Sequence, residues 1–341
     1  MGIIDRPAAP KGVPRLLGLI LAVFVVGCGD TQKREVAQRA EPAPTVDNSP
    51  PPSRLLNQFD VSDALIPVEK IERGGPDRDG IPSIDEPKFL AVKDVGFLGS
   101  NDLVLSVTLG DETRAYPLLI LDHHEIVNDR IGTNDICVTY CPLCGSGMVF
   151  DRRIGGDVLG FGVSGLLYQS DVLMYDRQTE SLWSQLKMQA VTGEKKGSQL
   201  RQLVAEQMTA GAWIGRYPQG QVLSTNTGYL RRYTGKAYAS YERQSGPMFD
   251  VGEIRDELPA KAWVIGLLVD GKSFAVPTDR LPTDKPKQLK LAGREFLVVY
   301  DRMHREPGVL TLPDREHYPY TLAYWFAWQA FHRNTEIVPK S

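Results

Sequence analysis

The stretch Cys137-Val-Thr-Tyr-Cys141-Pro-Leu-Cys144 (CVTYCPLC) puts three of the chain's four cysteines within eight residues. Val, Thr and Tyr favour an extended backbone, so Cys137, Thr139 and Cys141 are expected on one face of a strand. Pro142 ends regular pairing, and Gly145 and Gly147 permit a tight turn that folds Cys144 back toward Cys141. A C-x2-C knuckle of this kind offers two thiolates to one ion, and it equally suits a reversible disulfide. The C-x3-C-x2-C spacing is also one that radical enzymes use for a four-iron cluster. The strand–helix alternation of a parallel barrel is missing here, which argues against that use.

Working outward, the next donors lie upstream in LDHHEIVND, residues 121–129. If this segment runs antiparallel to Asp135–Tyr140, one imidazole reaches the thiols, His124 before His123. Thiolate with imidazole points to copper or zinc. The expected ligands are Cys141, Cys144 and His124, with Cys137 as a further thiolate. Downstream, Ser164, Asp171, Tyr175, Trp183 and Gln185, together with Glu125 and His304, are candidates to line a pocket over the thiols. The alternative for most of them is a set of hairpin turns around one core tryptophan.

The fold class read from the sequence is α+β, predominantly β. Strand-like runs cover Asp102–Leu109, Asp135–Tyr140, Gly147–Asp151, Asp157–Val163, Asp171–Asp176 and Glu295–Asp301, each bounded by turn residues. Helical patterning covers Val204–Tyr217 and Tyr320–Asn334. The tripeptides Phe150-Asp151-Arg152, Tyr175-Asp176-Arg177 and Tyr300-Asp301-Arg302 read as hairpin corners, with the aspartate capping the turn. The spacing from Pro117 to Tyr140 equals that from Pro277 to Tyr300, 23 residues. Trp213 precedes Val222 by nine residues, as Trp328 precedes Ile337. These matches predict a duplicated β-hairpin/helix unit with an insertion of 45 residues in the first copy. The expected organisation is a Cys-bearing half over 56–240 and a Cys-less half over 241–341 packed against it. At the shared offset of 160, Asp301 and His304 stand where Cys141 and Cys144 stand.

The chain has 341 residues, 42% of them apolar, and a net charge of −3, so it has no basic footprint for nucleic acid. Its start has a basic region, then the apolar run Leu16–Val26, then Gly27-Cys28, the order of a secretion signal. VVGC at 25–28 resembles a bacterial lipobox, which implies cleavage before Cys28 and lipidation of its thiol. Residues 1–28 are therefore expected to be a lipoprotein signal peptide, and the Pro-rich residues 29–55 a disordered tether. The folded part would be exported and held by its lipid to a bacterial membrane, facing the periplasm or the cell exterior.

Long motifs carry a resemblance. Gly74–Phe89 (GGPDRDGIPSIDEPKF), His124–Asp129, Val138–Arg152, Phe161–Gln185 (FGVSGLLYQSDVLMYDRQTESLWSQ) and Tyr324–Phe331 resemble the bacterial exported family labelled domain of unknown function 3179. The C-P-L-C pair recurs in that family, while the position of Cys137 is often aliphatic. The resemblance thus implies Cys141 and Cys144 as the working pair and says nothing of a reaction. Three functions stay open: a membrane-tethered metal-binding protein, a thiol–disulfide oxidoreductase, and a non-catalytic binding or scaffold module.

Overall fold

Runs of Val, Leu and aromatic residues punctuated by Gly and Asp turns fold into small, mainly antiparallel sheets. A computed structural model describes residues 54–340 apart from 236 and 284. Cys28, the signal segment and the Pro-rich stretch up to residue 53 lie outside the described residues. No helix among the described residues is long and apolar enough to cross a membrane.

Five of the six expected strands match, with ends shifted by a residue at most. The run Asp157–Val163 is divided. Asp157–Val158 pairs with Arg153–Ile154, whereas Phe161–Tyr168 pairs with Asp171–Asp176. Both expected helices are shorter than their patterning. Glu206–Thr209 and Thr321–Tyr324 are strands that pair with Leu103–Leu109 and Trp263–Val269. Helix begins only after them, at Ala210–Arg216 and Trp325–Phe331. Ladder pairing to a neighbouring strand outweighs local helical preference there. A helix the sequence did not suggest spans Leu118–His124, ahead of the strand Ile126–Ile131.

The same order of elements occurs twice. The hairpin Leu103–Leu109/Glu112–Pro117 sets Val104 opposite Pro117, and Trp263–Val269/Lys272–Pro277 sets Val264 opposite Pro277. A three-stranded meander follows each: Ile126–Ile131, Asn134–Cys141 and Ser146–Asp151 in the first half, then Lys287–Leu291, Arg294–Asp301 and Glu306–Thr311 in the second. Each half ends in strand, helix and short strand, and that last strand pairs parallel with the hairpin, Val222 with Ala115 and Ile337 with Ala275. Between meander and helix the first half alone carries a further sheet built on Phe161–Tyr168, Asp171–Asp176 and Leu182–Ser184. The three Asp-Arg corners behave as read. Asp151 accepts from the amide of Arg153 at 2.8 Å, Asp176 from Thr179 at 2.6 Å, and Asp301 from Met303 at 2.9 Å.

The two halves grip one another reciprocally. The amide of Tyr324, at the N-cap of the second helix, donates to the carbonyl of Cys144 at 2.9 Å. The amide of Thr209, at the N-cap of the first, donates to the carbonyl of His304 at 2.9 Å. Each meander turn is thereby closed by the other half. Gly145 sits in this contact with φ +66°, and a Cβ there would stand 2.5 Å from the Trp263 ring. Gly155 has almost the same φ, +62°, with nothing within 4 Å. Gly155→Ala should therefore cost about 1 kcal/mol from backbone strain alone. Gly145→Ala should cost at least about 2 kcal/mol more, because rigid ring and backbone must separate. Thermal or urea unfolding of the two variants checks the difference, and equal losses would contradict the packing described.

Candidate metal centre

Cys141 is the last residue of its strand and pairs with Ser146 across the turn. The amide of Cys144 donates back to the carbonyl of Cys141 at 3.2 Å, which closes the knuckle. The Tyr241 hydroxyl donates to the carbonyl of Leu143 at 2.8 Å and holds the tip. Gln185 braces the two strands from behind. Its Nε2 donates to Thr139 Oγ1 at 2.7 Å, and its Oε1 accepts from Ser146 Oγ at 2.8 Å. Both thiols are fully buried and neither forms a disulfide.

The third element facing the knuckle is the hairpin turn Gln169-Ser170. Both residues are left-handed, with φ of +55° and +64°. Two-residue hairpin loops of this hand usually employ Asn or Gly, so Gln and Ser hold strained backbone. That geometry aims the carbonyl of Ser170 at the thiols, 3.3 Å from Cys144 Sγ and 3.8 Å from Cys141 Sγ. Asp171 follows at once. Its Oδ2 accepts from the amide of Leu186 at 3.0 Å. Both sulfurs and a carboxylate oxygen of Asp171 lie within 4.8 Å of one another. Three side-chain atoms of the turn are buried with no hydrogen-bond partner: Gln169 Oε1, Ser170 Oγ and Asp171 Oδ1. Such orphans cost about 1–3 kcal/mol each unless water or an ion meets them.

Burial dominates the electrostatics. Burial raises the Cys141 thiol pKa, and the carboxylates of Asp171 and Glu125 raise it further. Burial and the neighbouring Cys141 hold Cys144 well above the ordinary thiol range. Asp171 is pushed up to about 7 by burial, against the pull of the Leu186 and Val172 amides. Glu125 is pushed to about 8 by burial and by Asp171 and Asp122. Glu125 ends the Leu118–His124 helix at φ +56°, its amide on the Leu121 carbonyl at 2.7 Å and its carbonyl accepting from Tyr140 at 2.8 Å. Four acids therefore gather where water is excluded, and a shared cation is the chemistry that would relieve them.

The structure corrects several expected roles. His124 ends a helix rather than lying on a strand, and both ring nitrogens are engaged elsewhere. Nδ1 donates to the Pro82 carbonyl at 2.7 Å, and Nε2 accepts from the Tyr233 hydroxyl at 2.5 Å. It latches the segment around Tyr233 and is not among the donors gathered at the thiols. Neighbouring His123 packs on the Tyr233 ring. Cys137 faces the apolar core four residues before Cys141, outside the donor group, and burial raises its thiol pKa. Ser164 Oγ serves the backbone of Leu173 and Leu166. The Tyr175 hydroxyl donates to Asp79 at 2.5 Å, and Trp183 Nε1 donates to Asp176 at 2.8 Å. His304 pairs with Asp301 at 2.7 Å, half-exposed. The sequence places Asp171 only among the pocket-lining candidates. The signal for more was an acid opening an otherwise apolar strand, SDVLMY.

Burial depresses the His124 pKa to about 4 from an ordinary 6.5. The unfolded chain thus binds the proton first. Stability held above pH 6.5 is lost as pH falls toward 4, by at most about 3 kcal/mol for this residue. His332, also near 4, acts in the same direction. His124→Gln should flatten part of the acid limb of a stability–pH curve measured by urea unfolding. An unchanged slope would mean that His124 is not buried neutral.

Residues 78–311, more than half of the chain, match the sequence model of a family described as "Protein of unknown function (DUF3179)", a span that takes in Cys141, Cys144 and Asp171. No curated protein and no solved structure matches the chain. With its long motifs and its knuckle inside the matched span, the chain belongs to the DUF3179 family.

Proposed function

We propose that this chain is a membrane-tethered exported protein that holds one thiophilic divalent ion between Cys141, Cys144 and Asp171. The observation that carries the reading is the convergence of these three buried donors within 4.8 Å, flanked by buried oxygens with no hydrogen-bond partner. Two thiolates favour a borderline-soft ion, and a carboxylate in place of the expected imidazole favours zinc over copper(I). Three protein donors leave a tetrahedral zinc one position for water or an exogenous ligand, the arrangement of reactive rather than purely structural sites. The tether rests on the signal-like start and on Cys28.

The oxidoreductase alternative is weaker. The knuckle joins two strands, so no helix N-terminus lowers a thiol pKa, and burial and carboxylates act in the opposite sense. The recurring order and register of elements support descent of the fold from one duplicated unit. In the second unit the knuckle positions became Asp301 and His304, so the first copy keeps the thiols and the second supplies their clamp.

Untagged full chain, produced with zinc and copper available and purified anaerobically, should carry about one zinc per molecule. Cys141→Ser, Cys144→Ser and Asp171→Asn should each weaken binding by about tenfold or more, while Cys137→Ser keeps it. Absence of stoichiometric metal, or variants that retain it unchanged, would leave the scaffold reading in its place.

A further inference from the structure

A cavity of about 460 Å³ opens beside the knuckle, walled by both recurring units. The thiols do not line it, so it is a compartment separate from the proposed ion site. Three polar side chains on its wall, Tyr140, Gln207 and Tyr324, are more than nine-tenths buried. None of the three makes a side-chain hydrogen bond among the described residues. All three can accept as well as donate, so they leave the charge of an occupant open.

Formal charge decides the sign. Asp102, Asp122 and Glu242 stand against one guanidinium, Arg305, among the described residues of the wall. Asp102 is drawn aside, accepting from the amide of Gly99 at 2.7 Å. Asp122 and Glu242 have interactions of their own, yet their charge reaches the buried phenols. Burial raises the Tyr140 pKa first, and the Asp122 and Glu242 charges raise it further. Burial also pushes Tyr324 up, to about 12, and there Glu242 raises it by more than Arg305 lowers it. The field at both phenols is therefore negative. The rest of the wall suits a cation as well. Phe97, Tyr233 and Trp263 add three rings to the two phenols. Two of the protein's own cations already lie against this lining: the Arg305 guanidinium is 5.9 Å from the Trp263 ring centroid, and Lys261 Nζ is 5.3 Å from that of Tyr324. Lys261 is not itself on the wall, and its Nζ donates to the Tyr241 carbonyl at 2.5 Å.

We propose that this cavity binds a small organic cation, a primary ammonium with an apolar or aromatic body. Its ammonium would meet the carboxylates of Asp122 and Glu242 and the Tyr140 phenol, and its body would lie against Phe97, Leu118 and Leu119. Attraction between an ammonium and an aromatic face strengthens when water is displaced from both. The excess of carboxylates separates the ammonium from a neutral molecule of the same shape and repels an anion. Pockets of this size bury most of a small ligand through apolar contact and fix it with a few polar groups. The inference does not depend on the ion at the thiols.

Calorimetric titration of the full chain at neutral pH tests it with three probes that share one ring: benzylammonium, benzyl alcohol and phenylacetate. Benzylammonium should bind at least about tenfold more tightly than either of the others. The Asp122→Asn/Glu242→Gln double variant should abolish its preference over the alcohol. Arg305→Met, which removes the opposing charge, should tighten benzylammonium several-fold, a gain that a misfolded variant could not produce. Equal binding of ammonium and alcohol would overturn the proposal. So would tighter binding of phenylacetate, no ammonium binding up to about 10 mM, an unaffected double variant, or an Arg305→Met variant that binds benzylammonium no more tightly.

Discussion

The amide of Tyr324 on the carbonyl of Cys144 is the bond on which the centre depends. The knuckle is built by one half of the molecule and closed by the other, with Trp263 filling the space that a side chain at Gly145 would need. The reciprocal bond, Thr209 to His304, makes the arrangement mutual. Neither turn reaches its final environment until both halves have folded. The thiols are therefore sequestered by tertiary structure of high sequence separation, not by the local turn alone.

Sequestration sets the chemistry. In water, the thiols of Cys141 and Cys144 and the carboxylates of Glu125 and Asp171 would titrate near their ordinary values. Stripped of water, Asp171, Glu125 and Cys141 are all raised by burial, and at Glu125 and Cys141 the neighbouring carboxylates add to it. A protein that keeps such a cluster, and leaves Ser170 Oγ and Asp171 Oδ1 without donors, spends stability on it. The same cluster is poor equipment for thiol exchange, which needs an accessible thiolate. It is good equipment for an ion that displaces the protons and satisfies the orphaned oxygens together.

The knuckle and the strands were legible because their signals are local. Side-chain alternation, Pro142, Gly145 and the aspartate corners each act over a few residues, and the structure matches them closely. The repeat spacings were legible too, since the register of both hairpins obeys the same offset of 160. What failed was anything decided at a distance. His124 looked like a ligand because it is near in sequence and has the right chemistry, yet the Leu118–His124 helix turns it toward Pro82 and Tyr233. Asp171 lies 27 residues beyond Cys144 and reaches it only because the inserted sheet folds back, its strained Gln169-Ser170 turn set against the thiols. The short helices failed for a related reason: pairing with strands about a hundred residues upstream for one and nearer sixty for the other held their leading residues extended.

X-ray absorption at the zinc edge of the zinc-loaded full chain tests the central claim most directly. The account predicts two sulfur neighbours at about 2.3 Å and oxygen at about 2.0–2.2 Å, with sulfur lost in Cys144→Ser. A zinc surrounded by nitrogen and oxygen alone, or one whose sulfur shell survives that substitution intact, would contradict it.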